Sequence, residues 1–247
     1  MRLLGVIPAR YASTRFPGKP LVMLAGKTMV ERTYRQVSQA NFLDEVVVAT
    51  DDLRIYEHVV SFGGKAIITS ETCRSGTDRA AEALSMIGGF DGVVNIQGDE
   101  PFIHPSQIDL VAGQLRSHRF EIATLAKEID SENDIFNPNV VKVVFDIHGK
   151  ALYFSRSPIP YLRGWAQENW SKETIFHKHI GLYAYRADIL MQLTALSPSR
   201  LEIAESLEQL RWLENGYSIG VTETDLETIG IDTPEDLAKI NSLLGTL

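Results

Sequence analysis

Short apolar runs alternate with amphipathic stretches through the first half of this chain, and that alternation leaves few folds open. Runs at 3–7, 46–49, 66–68 and 93–96 have the length and composition of strands. Between them, 28–40, 53–62 and 78–87 carry apolar residues at helical spacing. In the last of these, Ala80, Ala81, Leu84 and Ile87 fall at i, i+1, i+4 and i+7. Gly63-Gly64 and Gly88-Gly89 stand where helices stop. The pattern predicts an α/β fold: a mostly parallel sheet covered by helices in three layers.

The middle of the chain changes character. Segments 140–146 and 151–155 read as a hairpin around His148-Gly149, and 179–185 as a further strand. Residues 157–175, with Pro158, Pro160, Trp165 and Trp170, show no periodicity and are expected to form a loop, a lid or a dimer contact. Helices at 187–196 and 201–215, a strand at 219–222 and a helix from Pro234 complete the pattern. No repeat, low-complexity tract or linker divides it. The expectation is one domain, 1–247, with a β-rich insertion at 140–185.

Composition narrows the partners. The 247 residues are 44% hydrophobic and 23% charged, ordinary for a soluble globular chain. A net charge of −8 argues against nucleic-acid binding, so an anionic ligand would need a local basic patch. Pro8 and Arg10 cut the first apolar run too short for a signal core, and no stretch approaches a membrane span. The lone Cys73 forms no intrachain disulfide and suits a reducing cytoplasm.

Three loops carry residues suited to chemistry. The segment 7–19 places Arg10, Arg15 and Lys19 among small residues directly after the first strand. Cations and loop amides together suit a polyphosphate; a solvated basic turn is the plainer reading. The segment lacks both G-x-x-x-x-G-K-[ST] and G-x-G-x-x-G. Asn95-Ile-Gln-Gly-Asp-Glu-Pro101 leaves another strand, and ligands gather beyond the carboxyl ends of parallel strands. Asp99 would then meet Arg10 and Lys19 and hold Mg²⁺ with phosphate oxygens, or it simply ends a turn. Thr233 before Pro234 reads as a helix cap, which leaves Asp232 free to face a site. Two carboxylates meeting there would permit a two-metal clamp.

Other candidates carry equally plain alternatives. Ser75-Gly-Thr-Asp-Arg79 marks a loop-to-helix junction, where a hydroxyl either caps the helix or reads a polar ligand edge. His177 and His179 could bind zinc, but no second pair supports them, and aspartates with phosphates suit Mg²⁺ better. On 201–215, Ala204, Leu207, Leu210 and Leu213 form the apolar stripe, leaving Glu205, Glu208 and Gln209 on a face that is solvated unless a partner meets it.

Taken in order, these segments resemble the 3-deoxy-D-manno-octulosonate (Kdo) cytidylyltransferases. The words are Pro8–Leu21, Ser75–Arg79, Asn95–Pro101, Phe136-Asn-Pro138, Ala151–Arg156, 179–185, Leu207-Glu-Gln-Leu-Arg211 and Asp232–Asp236, and they span nearly the whole chain. The first is shared with sialate cytidylyltransferases; the later ones are selective for the Kdo branch. Segment 157–175 fits least. The resemblance implies a nucleotide-diphospho-sugar transferase type of fold and a homodimer. It implies transfer of CMP from CTP to Kdo with Mg²⁺, releasing pyrophosphate, for lipopolysaccharide synthesis. It implies that Arg10, Lys19, Asp99 and Asp232 are catalytic, the last two as metal ligands. Pro8, Ala9, Arg10, Lys19, Ser75 and Gly76 would bind nucleotide. Arg15, Gln97, Arg156, His179, Tyr183, Tyr185, Glu208 and Gln209 would contact the sugar. An 8-amino analogue of Kdo, a sialic acid, or a non-catalytic nucleotide-sugar-binding module on the same fold are the competing readings.

Overall fold

A computed structural model describes residues 1–12, 16–228 and 230–244. It opens with β1 (Leu3–Ala9), a ribbon of β2 (Met23–Leu24) and β3 (Lys27–Thr28), and α1 (Met29–Val37). The alternation continues through β4 (Glu45–Thr50), α2 (Leu53–Ser61), β5 (Ala66–Ile68), α3 (Gly76–Ile87) and β6 (Gly92–Asn95). Next come α4 (Pro105–Arg116), β7 (Ile122–Glu128), α5 (Glu132–Phe136), β8 (Lys142–Phe145), β9 (Ala151–Ser155), α6 (Trp170–Glu173) and β10 (His177–Arg186). The last elements are α7 (Ala187–Thr194), α8 (Arg200–Glu205), α9 (Gln209–Glu214), β11 (Ile219–Glu223) and α10 (Pro234–Leu244).

The central sheet has the order β11-β7-β10-β6-β1-β4-β5, and along that path β10 alone runs against the others. The β8–β9 hairpin joins the same sheet where Lys142 pairs with Lys178 on β10. Successive residues of β1 serve opposite layers. Leu4 and Val6 pack with Ala80, Leu84 and Leu190, whereas Leu3 and Ile7 pack with Val30, Ile55 and Ile108. Burial on both faces is what a near-continuous apolar strand signals, and each fully buried Leu, Ile or Val contributes about 1.5–3 kcal/mol. The expected α/β class and mostly parallel sheet are therefore present.

Several elements differ from expectation. The single helix expected at 201–215 is broken: Ser206 adopts the left-handed conformation (φ 52°, ψ 49°), ending α8 and re-aiming α9. Segment 157–175 is largely irregular and exposed, as expected, but the short α6 within it buries Trp170 with Phe176, Ile129 and Ile135 in a satellite core. The β2–β3 ribbon, α4, β7 and α5 had no expectation. Helix α4 starts with a capping box between His104 and Gln107, a residue pair seldom read as a start signal. Strand β7 carries two alanines among its buried residues, a composition that suits a helix as well.

The layers leave the ends of β1 and β6 facing one edge. There the two following loops touch so closely that a Cβ on Gly98 would stand 2.7 Å from the Pro8 carbonyl oxygen. Only glycine permits that approach.

Candidate active site

The loop after β1 is pinned on both sides of residues 13–15. The Arg54 guanidinium lies 3.4 Å over the Tyr11 ring. Gly18, at φ +72°, donates its N–H to the Tyr11 carbonyl at 2.9 Å. Lys19 follows at once, so its direction is set by that turn. Arg15 lies outside the described residues.

Lys19 Nζ stands 2.7 Å from Asp99 Oδ2 and 3.2 Å from Asp232 Oδ1. Asp99 is delivered by the loop after β6, and its carbonyl accepts the Ile231 N–H at 3.0 Å, which brings Asp232 alongside. Thr233 caps α10, accepting from the Asp236 N–H at 3.2 Å, so the cap and the Asp232 carboxylate have separate tasks. Among the described residues no group of three metal-ligating side chains forms. Two carboxylates around one cation nevertheless fit Mg²⁺, which takes one or two carboxylates and completes its shell with phosphate oxygens and water. The ammonium already marks where positive charge is favoured. Side-chain exposures of 15% for Lys19, 30% for Asp99 and 48% for Asp232 leave the cluster partly solvated, so exchanging one cation for another costs little.

Behind Asp99, Glu100 is half-buried and its Oε2 has no hydrogen-bond partner. Burial first, and the Asp99 charge second, push its carboxyl up to about 8. Sequence gave no reason to single it out.

Two cavities meet beside this cluster. One of about 220 Å³ is lined by Pro8, Ala9, Arg10, Lys19, Ser75, Gly76 and Asp99, together with Arg74 and Arg79. All the expected nucleotide residues are thus neighbours. Arg79 is held rigid at 3% exposure, donating to Asp51 Oδ2 at 2.6 Å and Thr69 Oγ1 at 2.5 Å. Cys73 also lines this cavity. Burial and the Glu82 carboxylate push its thiol up to about 12, so it stays protonated.

The second cavity, also about 220 Å³, is lined by Gln97, His179, Tyr183, Tyr185, Glu208 and Gln209. Those are six of the eight residues expected to contact a sugar, drawn from β10, α9 and the loop after β6. Gly76 and Gln97 line both cavities and mark the junction. His179 Nε2 lies 3.0 Å from Thr124 Oγ1, and burial pushes its imidazole down to about 3, so the ring is neutral. His177 Nε2 stands 3.2 Å from Glu223 Oε2. Burial raises Tyr183 and Tyr185 well above the ordinary phenol, which keeps both as neutral hydroxyls.

Thr77, Asn95 and Trp212 complete this second wall and had no sequence expectation. Asn95 Oδ1, Tyr183 Oη and Trp212 Nε1 are buried without hydrogen-bond partners. Three unpaired polar atoms around one cavity suit a ligand rich in hydroxyls. A buried Asn closing an apolar strand was the one legible signal.

Arg156 stands apart from this wall. Its guanidinium donates to the carbonyls of Glu205 (2.6 Å), Pro138 (2.9 Å) and Ser206 (3.4 Å). It braces the turn that re-aims α9.

The cytidylyltransferase family profile matches residues 4–225 of the chain. A 3-deoxy-manno-octulosonate cytidylyltransferase of Parabacteroides distasonis is 55% identical over 249 residues, covering 99% of this chain and 98% of that protein. The protein of the same name from Bacteroides thetaiotaomicron is also 55% identical, with 99% and 98% covered. The chain belongs to the 3-deoxy-manno-octulosonate cytidylyltransferase family. A solved CMP:2-keto-3-deoxy-manno-octonic acid synthetase complexed with CTP superposes with TM-score 0.92 at 42% identity, over 100% of this chain and 99% of that one. A cytidylyltransferase of Leptospira borgpetersenii, at 17% identity and TM-score 0.62, shares the fold. Family membership covers both cavities, since the match extends from β1 through β11.

Proposed function

We propose that this enzyme transfers CMP from CTP to the anomeric hydroxyl of Kdo, giving CMP-Kdo and pyrophosphate for lipopolysaccharide synthesis. The observation that carries the reading is the junction at Gly76 and Gln97. There a cavity lined by Arg10 and Lys19 shares two residues with one lined by neutral hydroxyl, amide and imidazole groups.

In this reading Pro8, Ala9, Ser75 and Gly76 hold the nucleoside end, while Arg10 and Lys19 take the triphosphate. Gln97, His179, Tyr183, Tyr185, Glu208 and Gln209 orient Kdo so that its anomeric oxygen approaches the α-phosphorus in line with the leaving pyrophosphate. Arg15 joins the sugar contacts, and Arg156 supports the wall from outside by bracing the turn at Ser206. Charge grows on the phosphoryl oxygens as the bond forms, and fixed cations there lower the barrier through positioning and electrostatics. Asp99 and Asp232 would hold Mg²⁺, which supplies Lewis-acid charge to the α-phosphate and acidifies the attacking hydroxyl. No side chain beside the junction is needed as a dedicated base.

We place the reaction in the cytoplasm, as the lone Cys73 suits; among the described residues no helix is long and apolar enough to cross a membrane. A homodimer is supported by exposed Ile147, Leu152, Tyr161 and Trp165 on and beside the β8–β9 hairpin. Sedimentation would report it, with a monomer at micromolar concentration counting against it.

Phosphorus NMR tests the activity itself. With CTP, Mg²⁺ and Kdo, the triphosphate signals should give way to pyrophosphate and a phosphodiester. Loss of CTP at the same rate without Kdo would contradict the assignment.

A further inference from the structure

Glu208 lies where three elements converge. Ser75 Oγ donates to its Oε1 at 3.2 Å and Thr77 Oγ1 to its Oε2 at 2.9 Å, both from the start of α3. Arg211 Nη2 donates to the same Oε1 at 3.0 Å from one turn along α9. Ser75 also lines the first cavity, and Thr77 and Glu208 line the second. One carboxylate therefore ties the nucleotide loop to the acceptor wall.

Arg211 is itself anchored twice more. Nη1 donates to the Leu196 carbonyl at 2.8 Å, and Nε stands 3.2 Å from Glu202 Oε2. That last contact has the distance of an ion pair without hydrogen-bond geometry, so Nε remains an unpaired buried donor. Glu202 divides its carboxylate between Arg211 and the capping box of α8, where Oε2 accepts the Ser199 N–H at 3.0 Å. The guanidinium thus serves two carboxylates at 13% exposure.

We propose that Arg211 is a positioning residue of the acceptor site: it holds the Glu208 carboxylate aligned on Ser75 and Thr77, at the edge of the wall that faces the sugar. The assignment of this wall to the sugar rests on the function proposed above. The electrostatic balance supports the arrangement. Burial raises the Glu208 carboxyl, while Thr77, Arg211 and Ser75 pull it back and the Asp78 carboxylate raises it further. The other groups around it are Arg74 beside α3, Tyr183 and Tyr185 on β10, and Glu202 on α8. Both tyrosines are neutral, which leaves Arg211 as the hydrogen-bonded positive charge on this carboxylate. An ionised Glu208 offers lone pairs to sugar hydroxyls; a protonated one offers fewer.

The test combines a titration that needs no substrate with kinetics that do. Glutamate carboxyl carbons are followed by NMR against pH in the ligand-free protein, with Glu208 assigned by Glu208→Gln. In Arg211→Gln the Glu208 midpoint should rise by about one pH unit, and Arg211→Lys should restore most of that change. Glu202→Gln keeps the capping box but removes the competing charge, and its Glu208 midpoint should fall. In pyrophosphate release, Arg211→Gln should raise KM for Kdo about tenfold with KM for CTP changed less than about threefold. The acidic limb of its pH profile should move up with the titration.

An unchanged Glu208 midpoint in Arg211→Gln and Glu202→Gln would overturn the proposal. So would equal rises in both KM values with an unmoved profile, the mark of a merely structural arginine. If Arg211→Gln does not fold, Glu202→Gln and Arg211→Lys decide the matter. Absence of turnover with Kdo in the unmodified protein would refute the assigned function, while the titration would still judge Arg211.

Discussion

Lys19 Nζ donates to Asp99 Oδ2 at 2.7 Å, joining the loop after β1 to the loop after β6 across the edge of the sheet. A single ammonium holds the two loops together, with Asp232 on its other side at 3.2 Å. In the function proposed above, the same ammonium would turn to phosphate when nucleotide binds and leave the carboxylates to a metal ion.

Lys19→Ala should weaken a charge-assisted phosphate contact worth about 1.5–3 kcal/mol, raising KM for CTP by roughly ten- to a hundredfold. Steady-state kinetics with varied CTP checks this. An unchanged KM would show that Lys19 does not reach the phosphates.

Asp99→Asn should abolish turnover and leave CTP binding nearly intact, because the carboxylate is assigned to the metal and not to the base. Calorimetry with CTP and a turnover assay on the same preparation measure the two effects separately. Near-normal turnover would remove Asp99 from the metal site.

Gly98→Ala should cost about 1–3 kcal/mol in stability and most of the activity. Its new Cβ would lie 2.7 Å from the Pro8 carbonyl oxygen, a backbone atom that cannot rotate away. Urea unfolding reports the first effect, and stability equal to the parent would mean that the loops separate easily.

Tyr183→Phe removes a buried hydroxyl that has no partner in the ligand-free protein. Stability should therefore hold or rise by about 1 kcal/mol, while KM for Kdo rises about three- to tenfold. A fall in stability with KM unchanged would make Tyr183 a core residue alone.

Stability should depend on pH through His179, whose imidazole is pushed down to about 3 from 6.5 by burial. The unfolded chain binds the extra proton between those values, so stability is fully present above about 6.5 and declines as pH falls toward 3. The ring keeps an edge on the cavity, where water offsets part of this effect. Denaturation midpoints across that window should slope less in His179→Gln, and parallel curves would contradict the account.

The strands that frame the site were legible because both their faces are buried, which leaves unbroken apolar runs such as Leu3–Ile7. Residues lodged in loop words, Lys19, Ser75 and Asp99, were legible because few other patterns put cations, small residues and carboxylates beyond strand ends. Glu208 and Gln209 were harder, since a polar helix face looks the same whether solvent or a cavity lies against it. Trp212 was not legible at all: its place on the acceptor wall depends on the break at Ser206, a left-handed turn that no residue pattern announces. Arg156 shows the reverse case. Its chemistry suits a sugar carboxylate, yet the structure gives its guanidinium three main-chain carbonyls.

The most direct measurement is the initial rate of pyrophosphate release from CTP and Mg²⁺, with and without Kdo, in the parent protein and in Asp99→Asn. The account predicts release that requires Kdo and disappears in the variant. Release that is independent of Kdo, or that survives in Asp99→Asn, would contradict it.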